Sequence, residues 1–231
     1  MVNQTPERRD GLRVRVRIYD LNGKLRDDRN ASGIRVPSGG EVHALTLPRL
    51  NDLTSVYFVR CQLFDGSGKP VAENVYWQST KDDDLGPAEN DSAFDLKQAS
   101  WADMTALNTM QKVPLEVSAS QTMIADESHV TIHLRNRTHR VAFFERAEIT
   151  STRGGDEILP IQYDVNYVTV FPGEAVEIHG EVRQSPGSAD WIKLAGYNTL
   201  EETAPIQQLK QVEAENQKEL HPVAEPYWAA R

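Results

Sequence analysis

Apolar residues recur at every second position along most of the chain, the spacing of half-buried strands. LRVRVRIYD (12–20) places Leu12, Val14, Val16 and Ile18 on one face and Arg13, Arg15 and Arg17 on the other. LNGK at 21–24 supplies the Asn-Gly that tight hairpin turns favour, VPSGG breaks the chain, and EVHALTL (41–47) reads as a further strand. SVYFVRCQLF and VAENVYW flank DGSGKP, whose glycines permit positive φ, so residues 57 to 77 predict a complete hairpin. A second series of six or seven strands begins near Val113: PLEVSAS, HVTIHLRN, VAFFERAEI, ILPIQYD, YVTVFPG and EAVEIHGEV. Short strands at this spacing, without long helical periods between them, predict an all-β protein of antiparallel β-sandwiches.

The interruptions set the organisation: a first sandwich over 1–80, a linker over 81–111, a second sandwich over 112–199 and a tail over 200–231. The linker carries Asp82, Asp83 and Asp84, which lack the spacing and closing Glu of a calcium loop and read as a solvated acidic loop. SWADMTALNTM follows, with Ser100 as N-cap, Asp103 three residues on, and Trp101, Met104, Leu107 and Met110 at helical spacing. This predicts a short helix packed as a wedge between the sandwiches. In the tail, Ile206, Leu209, Val212 and Leu220 sit at roughly helical spacing, so a helix is expected there as well.

Charge and chemistry narrow the function more than they define it. A net charge of −9 makes phosphate backbones poor partners, and the arginines of the first strand read as an outer face. No nucleic-acid partner is expected, and no apolar run is long enough to cross a membrane as a helix. One cysteine, Cys61, cannot form an internal disulfide; it shares a strand face with Tyr57, Val59 and Leu63 and reads as a small buried hydrophobe. His129 and His133 lie about 13 Å apart on an extended strand, too far to share a zinc ion. The glycine pairs 39–40 and 154–155 lack the Lys-Ser/Thr of a phosphate loop, and no G-x-S-x-G elbow is present. No catalytic residue, cofactor or metal is therefore expected in this chain. Asn3, Asn30, Asn90 and Asn136 open N-x-S/T sequons, relevant only to a secreted eukaryotic protein.

One stretch points further. TSVYFVRCQLFDGSGKPVAENVYWQSTKDDDL resembles the immunoglobulin-like domain of family 2 glycoside hydrolases of the exo-β-D-glucosaminidase and endo-β-mannosidase group, through Tyr57, Phe58, Asp65, Gly68, Asn74, Tyr76, Trp77 and Ser79. WADMTALNTM is similar to the connector of that group at Trp101, Asp103, Leu107 and Asn108. LPIQYDVNYVTVFPGE is similar to its final sandwich at Leu159, Pro160, Asn166, Tyr167, Pro172, Gly173 and Glu174, with Val165 where the pattern has Asp. GYNT at 196–199 resembles a closing Gly-Trp-Asn, with Tyr197 for Trp. The resemblance spans residues 1 to 199 and leaves the tail without a counterpart.

The resemblance implies two immunoglobulin-like β-sandwich domains that form a non-catalytic C-terminal piece of a β-glycosidase, secreted or periplasmic, whose two catalytic glutamates lie in a TIM barrel that this chain does not match. Its expected partners are the TIM-barrel and N-terminal domains of that parent, in the same or a separate chain, with a β-linked oligosaccharide as a further candidate. Tyr76 and Trp77 point to opposite strand faces, one expected to fill the core and the other to meet a neighbour. With Trp101 and Met104 they make up the expected interface. The alternative is a carbohydrate-binding module, for which Trp191, Tyr197, Tyr227 and Trp228 are the candidate aromatics.

Overall fold

The computed structural model describes residues 1–87, 98–124, 127–183 and 189–209. The chain divides into two compact units between Met110 and Gln111.

The first unit is built on a four-stranded antiparallel sheet of order β2-β1-β3-β4, from β1 (Arg9–Asp20), β2 (Leu25–Val36), β3 (Val56–Phe64) and β4 (Pro70–Ser79). The alternation in β1 holds. Val16, Ile18 and Val59 are buried together, and Val14, Leu45, Leu50, Leu53, Tyr57 and Cys61 pack around them. The expected strand EVHALTL does not form: residues 42–50 make no ladder, and Glu41 makes only an isolated bridge to Val2. Its apolar residues do not alternate strictly and Pro48 cannot donate to a ladder, so this irregular segment acts as a cover, laying Leu45, Leu50 and Leu53 on the sheet. Cys61 is half-buried in that layer, and burial raises its thiol pKa.

Both hairpins of this sheet turn on one device, a five-residue D-x-[N/S]-G-K loop. Asp20 accepts backbone N–H bonds from Asn22 and Lys24, as Asp65 does from Ser67 and Lys69. The glycine in each takes a left-handed φ, 87° at Gly23 and 89° at Gly68, which is unstrained only for glycine. Opposite the apolar layer, Arg15 pairs with Asp28, Arg17 donates to Gln62, and Glu73 accepts from both Gln62 and Arg60. The arginine face is a cross-strand network more than a solvated margin, because Arg15, Arg17 and Arg60 each meet an acceptor on the adjoining strand and Arg13 lies over the Phe64 ring.

The connector is tied down by its own acidic run. The Asp83 carboxylate accepts from Gln98 and from the Ala102 N–H, and Asp84 pairs with Ser100 through its backbone, so the acidic run is exposed, as expected, and also ties the connector to itself. The helix is a single 3₁₀ stretch, Thr105–Thr109, that buries only Leu107. It begins after Met104 instead of at Ser100: the Asp103 carboxylate accepts from the Thr105 N–H and hydroxyl, while Ser100 is held in the bridge.

The described residues of the second unit form one eight-stranded sheet of order β8-β10-β6-β5-β12-β11-β7-β9. Its strands are β5 (Glu116–Ile124), β6 (Glu127–Arg135), β7 (Ala142–Thr150), β8 (Ile161–Tyr163), β9 (Val168–Val170), β10 (Ala175–Val182), β11 (Trp191–Ala195) and β12 (Glu202–Gln208). One half of the sheet faces the other across a shared core: Val130, Ile132, Leu134 and Ile178 lie against Ala147, Ile149, Ile192 and Leu194. The helix expected from Ile206 and Leu209 is overturned where it begins. Glu202–Gln208 is a strand, parallel to β5 and antiparallel to β11, with Ala204 and Ile206 buried at a spacing of two. Two open ladders beside it outweigh a thin helical stripe. Residues 210–231, with Val212, Leu220, Tyr227 and Trp228, lie outside the described residues.

Two of the sequons prove to be structural knots. In each, the asparagine Oδ1 accepts both the N–H and the hydroxyl of the threonine two residues on: Thr5 to Asn3, and Thr138 to Asn136. The amide then donates to two carbonyls, Glu7 and Pro37 in one knot, Arg140 and Val170 in the other. Asn136 is 0% exposed, so Asn136→Ala should strand buried groups and cost about 2 kcal/mol; urea unfolding that gives an unchanged midpoint would refute this.

Candidate functional site

Of the four expected interface residues, all in the first unit, three are well exposed: Trp101 63%, Tyr76 47% and Trp77 38%, with Met104 half-buried. Tyr76 lies opposite Val59, and Trp77 opposite Phe58, on opposite faces of β4. The expectation that one of the pair fills the core is overturned. β4 is the edge strand of its sheet, and the covering leucines from 45–53 pack around the β1–β3 core residues.

The second unit carries an arrangement that sequence reading did not find. β7 is irregular between Ala142 and Glu145 in its pairing with β9, and Phe144 sits at φ 61°. Such a bulge shifts the phase of side-chain alternation, so Phe144 is turned outward and Glu145 inward. Two loops are pinned to the distorted strand by asparagines. Asn166 accepts from the Ala147 N–H and donates to the Ala147 carbonyl, both at 2.9 Å. Asn198 accepts from the Phe143 N–H and donates to the carbonyls of Val141 and Gln111. The pinning delivers Tyr167, at φ 57°, and Tyr197 beside the bulge.

Four aromatic rings result, in contact one to the next. Tyr197 lies 5.7 Å from Phe143, Phe143 5.5 Å from Phe144, and Phe144 5.0 Å from Tyr167, with interplanar angles of 59°, 48° and 44°. Phe144, Tyr167 and Tyr197 are 40–50% exposed. A left-handed φ at a bulky residue costs on the order of 1–3 kcal/mol and persists only where the surroundings impose it; two such residues occur within this one cluster.

Beneath the row lies Glu145, 0% exposed. One carboxylate oxygen accepts from Thr199 at 2.9 Å; the other has no hydrogen-bond partner. Gly196 lies so close over the carboxyl that a Cβ there would collide with it. Burial drives the Glu145 pKa up to about 7, against the opposing Thr199 hydrogen bond and the Lys112 charge. Among the described residues the hydrogen bond to this carboxyl comes from a hydroxyl, and no second carboxyl is hydrogen-bonded to it.

The remaining sequence candidates disperse. His129 stands near Glu127 and Glu181, and His133 lies 3.2 Å from Glu177, each in a cross-strand pair. Trp191 is half-buried on β11 with Arg153 over its ring. Among the described residues no group of three or more His, Cys, Asp or Glu is placed to hold a metal ion, and no helix is long and apolar enough to cross a membrane.

The two all-β units, built of largely antiparallel sheets, place the chain in the immunoglobulin-like class of β proteins. Residues 93–199 match the family described as the exo-beta-D-glucosaminidase Ig-fold domain, and the chain is homologous to the C-terminal region of these family 2 glycoside hydrolases. It is 34% identical over 212 residues to an exo-beta-D-glucosaminidase of Streptomyces avermitilis, covering 89% of this chain and 23% of that protein. The crystal structure of Amycolatopsis orientalis exo-chitosanase CsxA matches with a TM-score of 0.81 at 28% identity, over 88% of this chain and 24% of that one. A β-D-mannosidase from Dictyoglomus thermophilum, at 15% identity and a TM-score of 0.51, shares the fold alone. The chain therefore spans about a quarter of the length of the relatives it matches.

Proposed function

We propose that this chain is the non-catalytic accessory region of a glycosidase of exo-β-D-glucosaminidase type, supporting a TIM-barrel domain that hydrolyses O-glycosyl bonds in β-linked saccharides. The observation that carries this reading is the lopsided coverage. Similarity runs through 89% of this chain yet occupies only 23% of the relative, which leaves most of that enzyme's length for other domains. The candidate docking residues on the first unit are Tyr76, Trp77, Trp101 and Met104. Burial of roughly 100–200 Å² at an anchor such as Trp101 would contribute about 2–4 kcal/mol to docking.

The test is to titrate the 231-residue chain into the Streptomyces avermitilis enzyme truncated before its matched segment, following p-nitrophenyl β-D-glucosaminide hydrolysis and binding heat. The chain alone is expected to be inert and the mixture to gain activity and thermal stability. Trp101→Ala should weaken association at least tenfold while leaving both units folded. Turnover by the chain alone, abolished by changing one of its own acidic residues, would sink the reading.

A further inference from the structure

We infer that Glu145 is a proton-operated latch: its protonated carboxyl holds the 196–199 turn and the 111–113 segment in place, and its ionisation releases both. This goes beyond the accessory reading and does not depend on it.

Glu145 sits where a negative charge has little support. It is 0% exposed, one oxygen accepts from Thr199, and the other has no hydrogen-bond partner. A protonated carboxyl tolerates such a site; an ionised one needs further donors or water. The charged groups nearby are engaged elsewhere. On its own strand Arg146 pairs with Glu148 and Glu157, and on β11 Lys193 pairs with Glu148. β9, which meets Glu145 at Val168, brings Val168, Thr169 and Val170, none of them charged. The turn brings the Tyr197 phenol, its ring against Phe143. The 111–113 segment brings Lys112, whose charge acts on Glu145 but whose ammonium donates to the Thr199 carbonyl at 3.1 Å.

The cover is the part of this site that lies outside the strands. Gly196 and Thr199 close on the carboxyl between the end of β11 and the start of β12. The turn in turn holds the first residues of the second unit. The Asn198 carbonyl accepts from the Val113 N–H, the Asn198 amide donates to the Gln111 carbonyl, and Val113 bridges Thr199. A carboxylate that must reach water displaces this turn before it disrupts the ladders of β7, β9 and β11. Because Asn198 also anchors the turn to β7, release is a local opening within a folded unit.

The direction follows from linkage. Below pH 4.5 the carboxyl is protonated whether the latch is open or closed. From 4.5 to about 7 only the open state ionises, so opening gains up to about tenfold per pH unit. Above 7 both states ionise and the gain levels off.

Hydrogen exchange of the full 231-residue chain at pH 5, 6, 7 and 8, corrected for intrinsic rates, reads the latch at the amides of Val113, Phe143 and Tyr197, each a donor within it. Ile132 and Ile178, opposite each other on β6 and β10, report global unfolding. Protection at the three amides is expected to fall at least tenfold from pH 5 to pH 7 and to change less than about threefold from pH 7 to pH 8. It should be insensitive to low urea and stay below that of the two isoleucines throughout. Glu145→Gln should abolish the fall. Lys112→Met keeps the carboxyl and removes the charge that favours its ionisation, so the fall should persist and level off at a higher pH; this test holds even if the glutamine variant fails to fold. Protection that ignores pH, the same fall in Glu145→Gln, or a plateau unmoved in Lys112→Met overturns the inference. So does a fall that tracks urea and is shared by Ile132 and Ile178, which would tie Glu145 to global unfolding alone.

Discussion

Replacing Glu145 by glutamine is expected to flatten the pH dependence of the second unit's stability between pH 5 and pH 8. The carboxyl's pKa rises from its ordinary 4.5 to about 7 in the folded chain, so the native state holds the proton more tightly than the unfolded one. That contribution is complete below pH 4.5 and is lost as pH climbs through 7, where the buried group must ionise beside a single hydroxyl donor. A rise of this size corresponds to roughly 3 kcal/mol, or on the order of 10 °C in melting temperature for a unit of about 100 residues. The glutamine variant carries no such titration. Relative to any difference at pH 5, it should gain that margin over wild type at pH 8. Parallel stability profiles for the two proteins would show that Glu145 reaches water in solution.

Asn198→Asp should be the most damaging single change, and worse than Asn198→Ala. The residue is 2% exposed and satisfies one N–H and two carbonyls from three places in the chain: Phe143, Val141 and Gln111. Alanine leaves these three groups unpaired, at a cost of about 3 kcal/mol. Aspartate keeps the acceptor for Phe143 but turns a second oxygen toward two carbonyl oxygens in a buried site, so it adds repulsion and charge burial to the lost bonds. The order is the informative part. Equal denaturation midpoints for the alanine and aspartate variants would mean that the side-chain amide is not the donor.

Strict alternation made much of the fold legible. In β1, β6 and β10 every second residue is apolar, and Val16, Ile18, Ile132, Leu134 and Ile178 are buried as that period requires. Legibility failed where a non-local partner decides the local state. Ala204 and Ile206 alternate for too short a stretch to outvote helical spacing, and only the neighbouring β5 and β11 make residues 202–208 a strand. The aromatic surface failed for a different reason. Its members come from three segments, and the bulge that turns Phe144 out and Glu145 in has no signature in VAFFERAEI. A glutamate at an inward position reads as evidence for the opposite phase. The one available hint is that VNY and GYN, both parts of the family resemblance, have no place in the strand alternation; each holds one of the two asparagines that pin loops to β7.

The two asparagine knots bear on how the protein can be produced. In a host whose secretory machinery attaches glycans to the emerging chain, Asn3 and Asn136 would be presented as acceptors before either knot closes. A glycan on Asn136 leaves its nitrogen one hydrogen where the fold uses two, for the carbonyls of Arg140 and Val170, and its bulk must enter a site that is 0% exposed. Modification and folding are then mutually exclusive outcomes for each nascent molecule. Yield from a yeast secretion system would be set by a race that a bacterial cytoplasm never starts.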